Sequence, residues 1–256
     1  MMTHKQSKLT SLLIIPFYNE EKRYRQDEFL RLLTEQAFDI LFVNDGSNDC
    51  LPKQIRIELV SEYSNAKLID LSHNSGKSEA LRSGLIYAVE RGYERVGFTD
   101  FDLSTPPTEI IRLMNMFQDE AFHANSIFGI RNVNYSSSVK TTYFREKQGK
   151  LFQKIANSMF GVNFQDLQCG MKIFSVSLLS REVLSEPFIN QWLFELELLL
   201  RLPESCIEIA EVNLNQWNHF QNSKVKPSHL FYIVYSLAKL YVRYHKISSV
   251  RSISSL

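Results

Sequence analysis

The sequence predicts an α/β fold in which a mainly parallel central sheet is flanked by helices. Two observations carry this. Short apolar runs and helical patterns alternate four times between Ser11 and Phe98, with short links, the signature of a doubly wound sheet under right-handed crossovers. Each apolar run also ends in a polar cluster, and ligands of such sheets bind outside the carboxyl ends of the strands. The composition agrees: 256 residues, 44% hydrophobic, with 29 basic and 28 acidic side chains, can bury a large core.

Taken in order, Ser11–Ile15 reads as a buried strand stopped by Pro16. A helical pattern follows from about Gln26 to Gln36, with Phe29, Leu30, Leu32 and Leu33 inward. Asp39–Val43 is a second strand, ending in Asn44-Asp45-Gly46-Ser47. Pro52 suits the first turn of a helix reaching Tyr63. Ala66–Asp70 is a third strand. Ser78–Glu90 is helical, with Ala80, Leu81, Leu85 and Ala88 inward and Gly92 as its stop. Arg95–Phe98 is the fourth strand, ending at Asp100 and Asp102.

The second half is less regular. Pro107–Phe117 reads as helix and Ser126–Gly129 as strand, closed by Arg131. Asn132–Thr142 is a serine-rich loop long enough to act as a lid. A helix from about Arg145 to Phe160 precedes a polar turn, Asp166 to Gly170, and a strand to Phe174. Gln191–Arg201 is expected as a helix whose spacing puts Trp192 and Glu195 on one face. Ile207–Leu214 alternates apolar and polar, as a half-exposed strand would. Residues 1–10 are expected to be extended or disordered, 11–227 to form one continuous domain, and 228–256 an amphipathic helix with a polar tail.

A formal net charge of +1 gives no electrostatic reason to expect a nucleic-acid partner. Cys50, Cys169 and Cys206 are too far apart for a Cys-x-x-Cys pair, so neither a zinc site nor a disulfide framework is suggested. A reducing, cytoplasmic setting is the default. The polar start is too short for a signal peptide, and no run approaches the ~20 apolar residues of a membrane span.

The chemistry centres on Asp100-Phe101-Asp102. Strand neighbours point to opposite faces, so the two carboxylates are expected on one face at a strand end. Such a pair repels itself unless something positive intervenes. A hard divalent cation, Mg²⁺ or Mn²⁺, suits these oxygens when substrate phosphates complete its shell. Two surface acids on a solvated loop would carry the same residues.

The clusters together resemble the family-2 inverting glycosyltransferases of GT-A fold, most closely the dolichyl-phosphate glucosyltransferase and polyprenyl-phosphate mannosyltransferase branch. The matching motifs are Pro16 to Glu20 (Pro-x-Tyr-Asn-Glu), Val43 to Ser47, Asn74 to Lys77, and Asp100 to Thr105 (Asp-x-Asp-Leu-Ser-Thr). Asp166 to Phe174, Trp192 to Glu197, and Trp217 with Ser223 to Val225 complete the set. The resemblance implies a nucleotide-sugar donor, UDP-glucose by the form of the Asp-x-Asp motif, and a lipid phosphate acceptor at the cytoplasmic face of a membrane.

It also implies roles. Pro16, Tyr18, Glu20 and Asp45 would meet the nucleoside. Lys77, opening a helix behind Gly76, would add charge near the nucleotide. Asp102 would be the direct metal ligand and Asp100 would lie nearer ribose and sugar. Arg131 would approach phosphate, with Arg145 and Lys224 as further candidates for donor or acceptor phosphate. Gln168 would bond sugar hydroxyls, and Trp192 and Glu195 would face the acceptor. Asp166 would be the general base if the acceptor were a glycan or other hydroxyl. With an already ionised phosphate acceptor it would instead position the sugar or a nearby cationic group. A non-catalytic nucleotide-sugar-binding protein remains a third possibility. The helix near Ser228–His245 has an aromatic face and basic residues, fitting either a membrane interface or its own domain.

Overall fold

The computed structural model describes residues 10–132, 135, 143–191, 193–202, 207–218, 229–244 and 251–253. In chain order the elements are β1 (Ser11–Phe17), α1 (Gln26–Thr34), β2 (Asp39–Asn44), α2 (Leu51–Ile55, continued by a π-helical turn Arg56–Val60), β3 (Ala66–Asp70), α3 (Lys77–Arg91) and β4 (Arg95–Phe98). Then come α4 (Pro107–Gln118), β5 (Ser126–Ile130), α5 (Tyr143–Phe160), β6 (Lys172–Ser175), α6 (Phe194–Arg201), β7 (Glu208–Asn213), α7 (His229–Tyr244) and β8 (Arg251–Ile253).

The strands form one sheet in the order β3-β2-β1-β4-β6-β5-β7-β8. All pairings are parallel except those of β6, which runs antiparallel between β4 and β5. This is the expected α/β architecture, a mainly parallel central sheet flanked by helices. Strand β1 explains why its sequence is a continuous apolar run: it is buried on both faces. Leu12 and Ile14 pack with Ala80, Leu81, Leu85 and Ala88 of α3. Leu13, Ile15 and Phe17 pack on the opposite face with Phe29, Leu32 and Leu33 of α1 and Ile110 and Leu113 of α4. Helix α3 ends at Gly92, which takes the left-handed cap (φ 70°) that favours glycine.

The reversed β6 is what builds the site. Its first residue, Lys172, lies opposite Phe98 of β4 and Phe128 of β5. The turn before β6 therefore reaches the same sheet end as the residues that follow β4 and β5.

Several expectations need correction. Pro16 does not stop β1 but lies within it, opposite Val43 of β2. The Phe17 carbonyl turns toward β2 and accepts the Asp45 N–H, so Pro16 turns the other way, past the last residue of β4, where no N–H is needed. Strand β7 is not half exposed: Ile209 to Val212 are all buried, Glu211 included, because Gln165 donates its N–H to that carboxylate at 2.7 Å. Helix α6 starts at Phe194, later than expected. The presumed polar tail contributes β8, parallel to β7. Residues 1–9 and most of the serine-rich segment, 133–134 and 136–142, lie outside the described residues.

Helix α7 packs Leu237 and Leu240 into the core and leaves Val234, Tyr235, Tyr241 and Val242 exposed. Among the described residues no helix is long and apolar enough to cross a membrane.

Candidate active site

Three loops at the carboxyl ends of β1, β2 and β3 are tied to one another. Asn19, at φ 51°, donates its N–H to Ser47 Oγ (3.0 Å) and accepts from the Asn48 N–H (2.8 Å). Asp45 accepts the N–H groups of Ser75 and Gly76, one on each oxygen, at 2.8 Å. Burial pushes the Asp45 carboxyl up, and those two N–H donors only partly offset it. Asp45 thus holds the start of α3 in place. Glu20 is paired with Arg23 at 3.3 Å. Tyr18 is half-buried just beyond β1, and Pro16 lies within the strand.

The acid pair is placed by a turn, not by strand alternation as expected: β4 ends at Phe98 and both aspartates lie beyond it. Phe101 points into the core, 4.9 Å from Phe29 and 5.4 Å from Phe17 by ring centroid. Its neighbours Asp100 and Asp102 are left half-buried outside that cluster. Asp102 Oδ1 accepts from the N–H and hydroxyl of Ser104 (3.0 and 2.8 Å), while Arg25 donates to the Asp102 carbonyl at 2.6 Å. Leu103 takes φ 50° and is buried, a strained residue that locks the turn. Asp102 Oδ2 has no hydrogen-bond donor among the described residues.

Asp100 Oδ1 meets Lys77 Nζ at 2.7 Å, and Glu195 Oε1 lies 3.8 Å from the same ammonium. Burial opposes ionisation of Asp100, but Lys77, then Arg131 and Lys172, outweigh it and hold its carboxyl below the usual range. Burial likewise opposes the charge on Lys77, and Asp100, Glu195 and Asp102 outweigh it and raise its pKa. Asp100 also lies directly against Gly170, where any Cβ would collide with the carboxylate.

Beside this cluster, the Arg131 guanidinium grips Asp166 with two bonds of 2.7 Å, and the Arg131 N–H adds a third at 3.1 Å. Burial pushes the Asp166 carboxyl up, but Arg131 and Lys172 overcome it and hold it low. The guanidinium lies 5.3 Å from the ring centre of Trp217. Gln168 donates its N–H to Asp166 at 3.2 Å and exposes its side chain. Lys172 is wholly buried, donating to the Cys169 carbonyl at 2.7 Å with its ammonium 4.6 Å from the Phe128 ring centre.

A family model described as Glycosyl transferase family 2 matches residues 12–185. The chain belongs to glycosyltransferase family 2. A dolichyl-phosphate beta-glucosyltransferase of Trichomonas vaginalis is 30% identical over 90% of this chain and 72% of its own length. The dolichyl-phosphate beta-glucosyltransferase of Homo sapiens is 29% identical over 84% of this chain and 69% of its own. Among solved structures, glucosyl-3-phosphoglycerate synthase from Mycobacterium tuberculosis, in complex with Mn²⁺ and UDP-glucose, superposes with a TM-score of 0.58. It is 18% identical and covers 93% of this chain and 80% of that one, a likeness of fold. A mannosyltransferase from Pyrobaculum calidifontis, in complex with GDP-mannose and Mn²⁺, superposes at 0.55 with 15% identity, over 91% of this chain and 63% of that one.

In this family-2 glycosyltransferase the oxygen donors suit a hard cation: among the described residues one Asp102 carboxylate oxygen meets no donor, and Asp100 lies nearby. The described residues hold no group of three or more His, Cys, Asp or Glu able to bind a metal alone, so donor phosphates would have to complete the shell. Lys77, Asp100, Asp102 and Glu195 are gathered in one cluster, and Arg131, Asp166 and Gln168 in a second beside it. Trp192 and Lys224 lie outside the described residues. Arg145 belongs to α5, but its side chain is not among those described. Glu197 is structural, taking the Ile189 N–H and the Arg201 guanidinium, each at 2.6 Å. The motif from Asp166 to Phe174 already carried Gly170 and Lys172, without saying what either touches. The available signal was a lysine inside the apolar run Met171-Lys172-Ile173-Phe174.

Proposed function

We propose that the enzyme transfers glucose, with inversion, from UDP-glucose to a polyprenyl phosphate at the cytoplasmic face of a membrane, with Mg²⁺ or Mn²⁺. The observation that carries this is the Arg131–Asp166 ion pair. A hydroxyl acceptor needs a base whose pKa lies near the working pH. Asp166 has both oxygens engaged by Arg131 and a depressed pKa, which makes it a weak base and a good anchor for a cationic side chain. A phosphate acceptor arrives ionised and needs no base. It needs an oriented guanidinium, and Asp166 and Trp217 hold Arg131 in place. The names of the T. vaginalis and human relatives support glucose as the sugar and dolichyl phosphate as the acceptor.

The cation would be held by Asp102, with Asp100 alongside, and would neutralise charge growing on the UDP leaving group. Asp45, Glu20 and the loops they brace would line the nucleoside. The exposed Val234, Tyr235, Tyr241 and Val242 of α7, together with Lys239, favour contact with a lipid surface.

The test is turnover with labelled UDP-, GDP- and dTDP-sugars, Mn²⁺ and a polyprenyl phosphate in vesicles. Glucosylated lipid from UDP-glucose is expected. It should be lost on chelation and reduced at least ~100-fold in Asp102→Ala. Product formed only on hydroxyl acceptors would overturn the lipid reading. Turnover indifferent to Asp102→Ala would overturn the metal role.

A further inference from the structure

We propose that Lys77 is an exchangeable counter-ion: it neutralises Asp100 while the donor is absent and passes to Glu195 when the cation takes its place. This rests on the metal role proposed above for Asp100 and Asp102.

Four observations carry it. Lys77 Nζ sits 2.7 Å from Asp100 but 3.8 Å from Glu195, so one ammonium stands between two carboxylates and is fully bonded to only one. The Glu195 side chain is only 12% exposed, and no hydrogen-bond donor meets its carboxylate among the described residues. A largely covered carboxylate gains from pairing, so Glu195 offers Lys77 a second acceptor. Among the described residues the neighbouring cations are engaged elsewhere: Arg131 is fastened to Asp166 by three bonds and Lys172 is buried on the Cys169 carbonyl. Finally, Asp100 rests against Gly170 and is blocked on that side.

A divalent cation at Asp100 and an ammonium 2.7 Å from the same carboxylate oxygen would repel strongly. Asp100 cannot retreat into Gly170. Lys77 stands at the first turn of α3 behind Gly76, and its stem of four methylenes lets the ammonium move. Glu195 is within reach and, among the described residues, takes no hydrogen bond. Lys77 is thus a positioning residue that makes cation binding conditional: a bare ion must displace an ion pair, whereas an ion carried by a diphosphate brings the extra binding to do so.

The test measures Mn²⁺ affinity by electron paramagnetic resonance, with and without UDP, in the wild type, Lys77→Met, Glu195→Gln and the double variant. Lys77→Met should tighten Mn²⁺ binding without nucleotide by about tenfold. Glu195→Gln should weaken Mn²⁺ binding with UDP when Lys77 is present and change it little in the Lys77→Met background. Equal effects of Glu195→Gln in both backgrounds would overturn the hand-over, because Glu195 would then act only through its field. Lys77→Gln, judged beside melting curves, repeats the comparison should Lys77→Met fold poorly. Asp102→Asn separates the two readings. If it leaves Mn²⁺ binding unchanged, the metal role itself fails; if it abolishes binding while the cycle is additive, only the hand-over fails.

Discussion

At the scale of single residues, the site depends on an absence. Gly170 leaves the space into which the Asp100 carboxylate fits. Gly170→Ala is expected to displace Asp100 and cut turnover by at least about tenfold, the loss expected from a displaced reacting group. Its melting temperature should fall only modestly, since a half-exposed carboxylate can swing outward. Steady-state rates beside a thermal melt check this; a variant with wild-type rates would show that Asp100 needs no such seat. The sequence singled out Asp100, Asp102 and Asp166 through the motifs that hold them, and the structure gathers them at one sheet end beside Lys77 and Arg131. The sequence marked Gly170 and Lys172 only as members of a motif, because what they touch comes from the pairing of β6 with β4 and β5, which no local pattern encodes. The charge partners were equally hidden: nothing in the spacing of Lys77 and Glu195 or of Arg131 and Asp166 says that they touch.

At the scale of elements, the first half was read well because its signals are local. Strands β3 and β4 fall at the expected residues, and the four inward residues assigned to α3 are all buried. Pro16 misled because whether a strand tolerates proline depends on which neighbour its missing N–H would face. Strand β7 misled because an alternating pattern is scored as half-exposed, whereas Glu211 is covered by Gln165. Helix α3 packs closely on β1, where a Cβ on Gly84 would lie 2.7 Å from the Ile14 Cγ2. Gly84→Ala is therefore expected to destabilise by about 1–3 kcal/mol through overpacking, despite the better helix propensity of alanine. Urea denaturation measures it; an unchanged midpoint would mean that the layer can expand freely.

At the scale of the whole molecule, the sheet end concentrates opposed charges, with Asp100, Asp102, Asp166 and Glu195 facing Lys77, Arg131 and Lys172. Asp100 and Asp166 are held below the ordinary carboxylate range in the folded state. Groups depressed on folding add stability that is complete above the unfolded pKa of about 3.9 and fades as pH drops through the folded values. The thermal midpoint should therefore fall as the medium is acidified below about pH 4. Asp166→Asn should lower the neutral-pH midpoint while making that acid slope shallower. A variant with the wild-type slope would show that the pair contributes nothing to the balance.

The reversal of β6 also governs how the chain can assemble as it is synthesised. Strands β1 to β4 emerge first, and β4 then has one bare edge until Lys172–Ser175 leave the ribosome to occupy it. During that interval a nascent half-sheet displays an unpaired backbone edge, the kind that invites wrong partners. The late strand therefore acts as a seal, and the sheet end that gathers Asp100, Arg131 and Asp166 is incomplete before it arrives.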